Sequence, residues 1–229
     1  MTVQLREYYE TGNKVNDDPL VVVFEDFLTE LEIEQLLKAA KPKLQQALVS
    51  DSRSGVESAG RSGSNCWISH GYNAVIEELS LRVSDVVGIP LEYAESLQVV
   101  YYGTGEQYAP HFDAWDAATE RGQRCMARGG QRMLTCLLYL NNPEAGGGTS
   151  FPELDMEIRA RRGRMVLFHN CHPGSTVRHP ASLHGGMPVE KGEKWACNFW
   201  FREQAYQAPG TVPARKSDPA AKPKFNRVI

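Results

Sequence analysis

Lys194-Trp195-Ala196-Cys197-Asn198-Phe199-Trp200-Phe201 alternates between two kinds of side chain. In a strand, Lys194, Ala196, Asn198 and Trp200 share one face, and Trp195, Cys197, Phe199 and Phe201 share the other. The second face is apolar enough to be core packed against helices. The first carries an amine and an amide, groups that a packed interior excludes unless a ligand meets them. Thr135-Cys136-Leu137-Leu138-Tyr139-Leu140 repeats the pattern, with Thr135, Leu137 and Tyr139 on one side and Cys136, Leu138 and Leu140 on the other.

Working outward, strand-like segments dominate from about residue 94 to 203. They are Ser96–Tyr102, Gln107–Asp113, Met133–Asn141, Arg164–His169, the stretch around His184, and Lys194–Phe201. Before them, Pro19–Phe24 reads as a short buried strand. A helix follows with Thr29 as N-cap and Glu32 in capping-box spacing, an apolar stripe of Leu31, Ile33, Leu36, Leu37 and Ala40, and Pro42 as its stop. A second amphipathic helix is expected over Ala74–Val87, ending at Gly88. The expected fold is mostly β with flanking helices (α+β), a small antiparallel barrel or sandwich with helices packed outside it. Residues 1–93 read as an N-terminal strand and helical support, 94–204 as the core, and 205–229 as a mobile tail. Two polar segments, 50–65 and 114–131, are expected to be exposed mobile loops.

The 229 residues are 41% hydrophobic and 23% charged with a net charge of −3, which suits one soluble domain and gives no reason to expect bulk binding to nucleic acid or a membrane. No apolar run approaches a membrane span, and the N-terminus lacks a signal-peptide core. The five cysteines are odd in number and scattered without a Cys-x-x-Cys, against a disulfide framework or zinc cluster. A reducing cytoplasm is the simplest home.

The chemistry starts at Tyr108-Ala109-Pro110-His111-Phe112-Asp113-Ala114. If this stretch is a strand, His111 and Asp113 leave the same face and can bind one ion. A third imidazole would complete the two-His, one-carboxylate set of a non-haem Fe(II) oxygenase, leaving positions open for co-substrate and O2. His169, His172, His179 and His184 are the candidates. Strand logic favours His184, because the chain turns at Glu190-Lys191-Gly192-Glu193 into the Lys194 strand, a hairpin that would put His184 and Lys194 on adjacent strands. Lys194 near a metal can balance the remote carboxylate of an α-keto acid, and the hydroxyls of Thr135 and Tyr139 can hydrogen-bond the same group. His169 and His172 read better as loop histidines, and Cys171 beside His172 lacks the orienting third group that nucleophilic catalysis needs.

Several motifs together resemble the prolyl 4-hydroxylases. They run in order: Tyr102, Tyr108-x-x-His111-x-Asp113, Gly130-Gln131-Arg132-x-x-Thr135-x-x-x-Tyr139-Leu140-Asn141, Gly147-Gly148-Thr149-x-Phe151-Pro152, and His184-x-Gly186-x-Pro188-Val189-x-x-Gly192-x-Lys194-Trp195. The resemblance covers roughly residues 95 to 202 and implies a double-stranded β-helix (jelly-roll) core. It implies Fe(II), 2-oxoglutarate and O2 as cofactors, with ascorbate as an accessory. His111, Asp113 and His184 would be the iron ligands, Lys194 the carboxylate partner, Tyr102, Thr135 and Tyr139 hydroxyl donors, and Trp200 an aromatic close to the site. The implied reaction turns a prolyl residue of a peptide or protein into 4-hydroxyproline, with release of succinate and CO2. Retention of Asp113 argues against a halogenase. Arg61-Ser62 resembles part of a substrate loop, and Trp115, Arg121, Arg124 and Arg128 mark a second segment that could close over a peptide. Two other classes stay open: an oxygenase of the same chemistry acting on a free amino acid, other small molecule or nucleobase, and a non-catalytic binding module on the same barrel.

Overall fold

The computed structural model describes residues 3–46, 49–50, 55–56 and 62–207. Arg61, most of the 51–61 segment and the basic tail beyond residue 207 lie outside them. Eight strands form a large antiparallel sheet in the order Asn13–Asp17, Leu20–Phe24, Met165–His169, Arg132–Tyr139, Lys194–Arg202, Leu97–Tyr102, Ser64–Ile68 and Gln45–Gln46. Four of these strands precede residue 94. A smaller antiparallel sheet runs Met156–Ile158, Thr149–Phe151, His184–Gly186, Tyr108–His111.

Side-chain alternation sorts the large sheet into two cores. Val100, Leu137, Val166 and Ala196 pack with Phe151 and Ile158 of the small sheet, so the two sheets form a jelly-roll sandwich. On the opposite face Leu138, Leu167, Cys197, Phe199 and Phe201 pack with Ile33 and Leu36 of helix Glu30–Ala40 and with Ile76, Leu79 and Val83 of helix Ala74–Val87. The period-two reading of residues 194–201 and 135–140 therefore holds. Of the two expected architectures the sandwich is the one formed; no sheet among the described residues closes into a barrel.

Local chemistry sets the helix ends. Thr29 and Glu32 make the reciprocal capping box, Thr29 N–H donating to Glu32 Oε2 at 2.8 Å and Glu32 N–H to Thr29 Oγ1 at 3.3 Å. Leu31 is half exposed at 53%, so the buried apolar stripe of this helix starts only at Ile33. The second helix is capped by Asn73 and stops at Gly88, whose φ of 72° a side chain would resist.

Three expectations need correction. The strand expected over Gln107–Asp113 spans only Tyr108–His111, and Asp113 lies in the bend beyond it. That strand is the outer edge of the small sheet, the place where Pro110, lacking an N–H, is tolerated. His184 and Lys194 do not sit on adjacent strands: His184 belongs to the small sheet and Lys194 to the large one. The arms part because Val189–Lys191 between them pairs with Ala145–Gly146, and Gly192 at φ 83° then turns the chain across the sandwich. Finally, the polar 114–131 segment contains a helix, Glu120–Met126, capped by the Thr119 hydroxyl.

Candidate metal centre and co-substrate pocket

His111 and His184 are direct cross-strand partners in the small sheet, which brings their ring centroids to 4.5 Å. Asp113 reaches them from the bend after the strand. Its Oδ2 lies 3.5 Å from His184 Nε2, and its Oδ1 lies 3.8 Å from His111 Nε2. The three candidate ligand atoms lie within 4.8 Å of one another, and the triad is the one cluster of this kind among the described residues.

The tautomers follow from the backbone. His111 Nδ1 lies 3.0 Å from the Ala109 carbonyl and His184 Nδ1 lies 2.9 Å from the Ser182 carbonyl. A carbonyl only accepts, so each Nδ1 carries a hydrogen, and in the neutral imidazole each Nε2 then presents a lone pair. Two nitrogen lone pairs and an ionised carboxylate thus converge, an arrangement that a cation relieves. This donor set fits Fe(II) with three positions left open. Burial pushes the Asp113 carboxyl up, but His184, His111, Arg132 and the Trp200 N–H outweigh it and hold the group down at about 2.

Behind the carboxylate stands a network the sequence did not assign. Trp200 Nε1 donates to Asp113 Oδ2 at 2.8 Å, and Thr135 Oγ1 donates to the same oxygen at 2.7 Å. Arg132 grips Glu95 through Nε and Nη2 at 2.6 and 2.8 Å and lies 3.7 Å over the Trp200 ring. Its Nη1 is 3.8 Å from Asp113 Oδ1. Arg132 stands in the quoted Gly130-Gln131-Arg132 motif, but its partner Glu95 is 37 residues away, so no local pattern announces the pair.

A cavity of about 220 Å³ extends from the triad between the sheets. Its walls include Val100, Tyr102, Leu137, Thr149, Phe168 and Lys194. Lys194 pairs in register with Tyr102 and is 3% exposed. Its ammonium donates to the Gly148 carbonyl at 3.1 Å and lies 5.9 and 5.5 Å from the Tyr102 and Tyr139 rings. Burial pushes that ammonium down to about 7. A buried cation in the wall of a cavity calls for an anion, and a carboxylate fits it.

The structure separates the other site residues by what they touch. Tyr102 and Trp200 line the cavity with the triad and Lys194. Thr135 does not; its hydroxyl is committed to Asp113. Tyr139 is fully buried with its hydroxyl 2.6 Å from Thr149 Oγ1, so Thr149 is the side chain that faces the cavity there. His169 bonds the Tyr9 hydroxyl at 2.9 Å, and His179 lies 3.3 Å from Asp18, both outside the triad.

Comparison with known proteins agrees with this geometry. Residues 97–202 match the model of the 2OG-Fe(II) oxygenase superfamily. The chain is 34% identical over 212 residues to prolyl 4-hydroxylase 5 of Arabidopsis thaliana, covering 83% of this chain and 70% of that protein. It is also 34% identical over 205 residues to the prolyl 4-hydroxylase subunit alpha-1 of Gallus gallus, covering 86% of this chain and 38% of that one. Among solved structures, the viral collagen prolyl hydroxylase of Paramecium bursaria Chlorella virus-1 in complex with 2OG superposes with a TM-score of 0.62 at 26% identity. That match covers 80% of this chain and 95% of the viral one.

Proposed function

Because this chain belongs to the prolyl 4-hydroxylases of the 2OG-Fe(II) oxygenase superfamily, we propose that it hydroxylates a prolyl residue within a peptide or protein, releasing succinate and CO2. The observation that carries this reading is the convergence of three donors, His111, Asp113 and His184, in the wall of a cavity that Lys194 also lines. Fe(II) and 2-oxoglutarate, when bound, supply with O2 an oxidant able to break an unactivated C–H bond. His111, Asp113 and His184 would hold the metal, and three protein ligands would leave it room for co-substrate. Lys194 would meet the far carboxylate of the co-substrate, whose charge would favour the ammonium form. Val100, Leu137 and Phe168 give the cavity an apolar wall beside its charged groups.

Substrate class is supported by the surroundings of the cavity. It shares Trp67 and Gln98 with a groove of about 660 Å³ that includes Lys43, Gln45 and Asn65. It shares His111, Phe112, Trp115 and Arg121 with a second groove of about 530 Å³ that includes Thr119 and Arg178. Two grooves meeting at one reactive centre suit a residue with chain on both sides better than a free amino acid. The Trp67 and Trp200 rings, 6.0 Å apart, offer the flat apolar faces on which a pyrrolidine ring packs. No described helix is long and apolar enough to cross a membrane. All five cysteines are free, which supports a reducing compartment such as the cytoplasm, where Fe(II) persists and ascorbate serves as accessory reductant.

Succinate release tests the reading. With Fe(II), 2-oxoglutarate and O2, a peptide with an internal proline should stimulate it, whereas free proline and the same peptide with alanine for proline should not. His111→Ala and His184→Ala should abolish the stimulation. Equal stimulation by free proline would defeat the peptide assignment, and undiminished turnover by either variant would defeat the ligand assignment.

A further inference from the structure

Asn170, at the turn after strand Met165–His169, is fully buried, and its amide has one protein partner in the network behind the metal centre. Thr135 Oγ1 donates to Asp113 Oδ2 at 2.7 Å and so spends its single hydroxyl proton there. The remaining lone pair of Thr135 then needs a donor. Asn170 Nδ2 stands 2.9 Å from it and supplies one. That requirement fixes which way the amide points, and it leaves Asn170 Oδ1 buried without a protein partner among the described residues. Trp200 Nε1 completes the arrangement by donating to the same Oδ2 at 2.8 Å.

One oxygen of Asp113 therefore carries both strong donors. The other, Oδ1, has only longer approaches, from Arg132 Nη1 and His111 Nε2, each at 3.8 Å. We propose that Asn170 is a positioning residue: by holding the Thr135 hydroxyl toward Asp113 Oδ2, it reserves Oδ1 as the single metal-binding oxygen. A carboxylate binding through both oxygens would occupy a position that co-substrate or O2 requires. Asn170 also ties in the loop that carries the distal histidine. Its carbonyl accepts from His179 N–H at 2.9 Å, the His179 carbonyl accepts from Ser182 Oγ at 2.7 Å, and the Ser182 carbonyl in turn orients His184. The proposal rests on the reading of His111, Asp113 and His184 as metal ligands.

Co(II) titration of the metal-free protein, followed by absorbance, provides the test. Asn170→Asp keeps the shape but offers only acceptors, so Thr135 turns its proton away from Asp113. Co(II) affinity is expected to fall about 10- to 100-fold, the usual cost of losing an outer-shell partner. Thr135→Val should lose a similar factor, Thr135→Ser should stay within about 3-fold of wild type, and the Asn170→Asp/Thr135→Val double variant should lose no more than the worse single one. A folded Asn170→Asp protein that binds Co(II) as wild type does, or single losses that multiply in the double variant, would overturn the relay. Should Asn170→Asp fail to fold, equal affinities of Thr135→Ser and Thr135→Val would overturn it instead. Failure of the wild type to bind Co(II) any better than His111→Ala would overturn the metal reading, and the relay with it.

Discussion

On one side of strand Lys194–Arg202, Cys197, Phe199 and Phe201 are sealed against the two long helices; on the other, Lys194, Asn198 and Trp200 face a cavity that leads to three convergent metal donors. The backbone is shared, yet the two faces carry opposite energetic assignments. The helix-facing side gains stability from apolar burial. The cavity side gives up stability, because it holds a buried amine and three converging metal-binding side chains whose free positions a ligand would satisfy. A substitution on one face should therefore move stability and leave ligand affinity, and a substitution on the other should do the reverse.

The largest effect is expected at His184. His184→Ala should lower peptide-dependent turnover at least about 10³-fold, or about 4 kcal/mol of barrier, and abolish the rise in Tm that Fe(II) gives the wild type. Next comes the opposite face: Phe199→Ala, removing a fully buried ring, should cost about 3–5 kcal/mol in urea unfolding while 2-oxoglutarate affinity at low temperature stays unchanged. A matching loss of affinity would show that the faces are not separable.

Lys194→Met sharpens the contrast. The KM for 2-oxoglutarate should rise about 100-fold, or about 3 kcal/mol, while the ligand-free protein becomes more stable. The pH dependence follows with a definite sign. The folded Lys194 ammonium titrates at about 7 against 10.5 for an unperturbed lysine, so the unfolded chain binds more protons between those limits. Stability of the ligand-free wild type should climb as pH rises from about 7 to 10.5, and Lys194→Met should flatten that climb.

A smaller effect is expected at His169, which lies away from the metal donors. Burial holds its imidazole down at about 4 against the usual 6.5, so the unfolded chain again binds more protons within that window. Stability should fall by about 2 kcal/mol as pH drops through it, and His169→Gln should remove most of the slope without changing the KM for 2-oxoglutarate.

Legibility in the sequence followed the same division. The two faces of residues 194–201 could be read directly because a strand repeats every two residues, and burial follows that repeat. Both helices were legible through their ends, the first through the Thr29–Glu32 box and the second through Gly88, whereas the Asn73 cap emerged only with the structure. What could not be read was pairing. A turn between His184 and Lys194 looks the same whether its arms pair with each other or part to opposite sheets, and only ladder partners elsewhere decide. Thr135 was legible as a site hydroxyl but not as the one that orients Asp113, since Asp113 precedes it by 22 residues and Asn170 follows it by 35. Glu95 and Arg132 were hidden for the same reason: charges that satisfy each other across the fold leave no local periodicity.

The most direct test of the cavity face as a prolyl-hydroxylating centre is mass spectrometry of a peptide with one internal proline, after incubation with Fe(II), 2-oxoglutarate and isotopically heavy O2. The expected result is one heavy oxygen atom on the proline, matched by one succinate per hydroxylation, and neither with His184→Ala. Labelled oxygen on another residue, or succinate without labelled peptide, would contradict it.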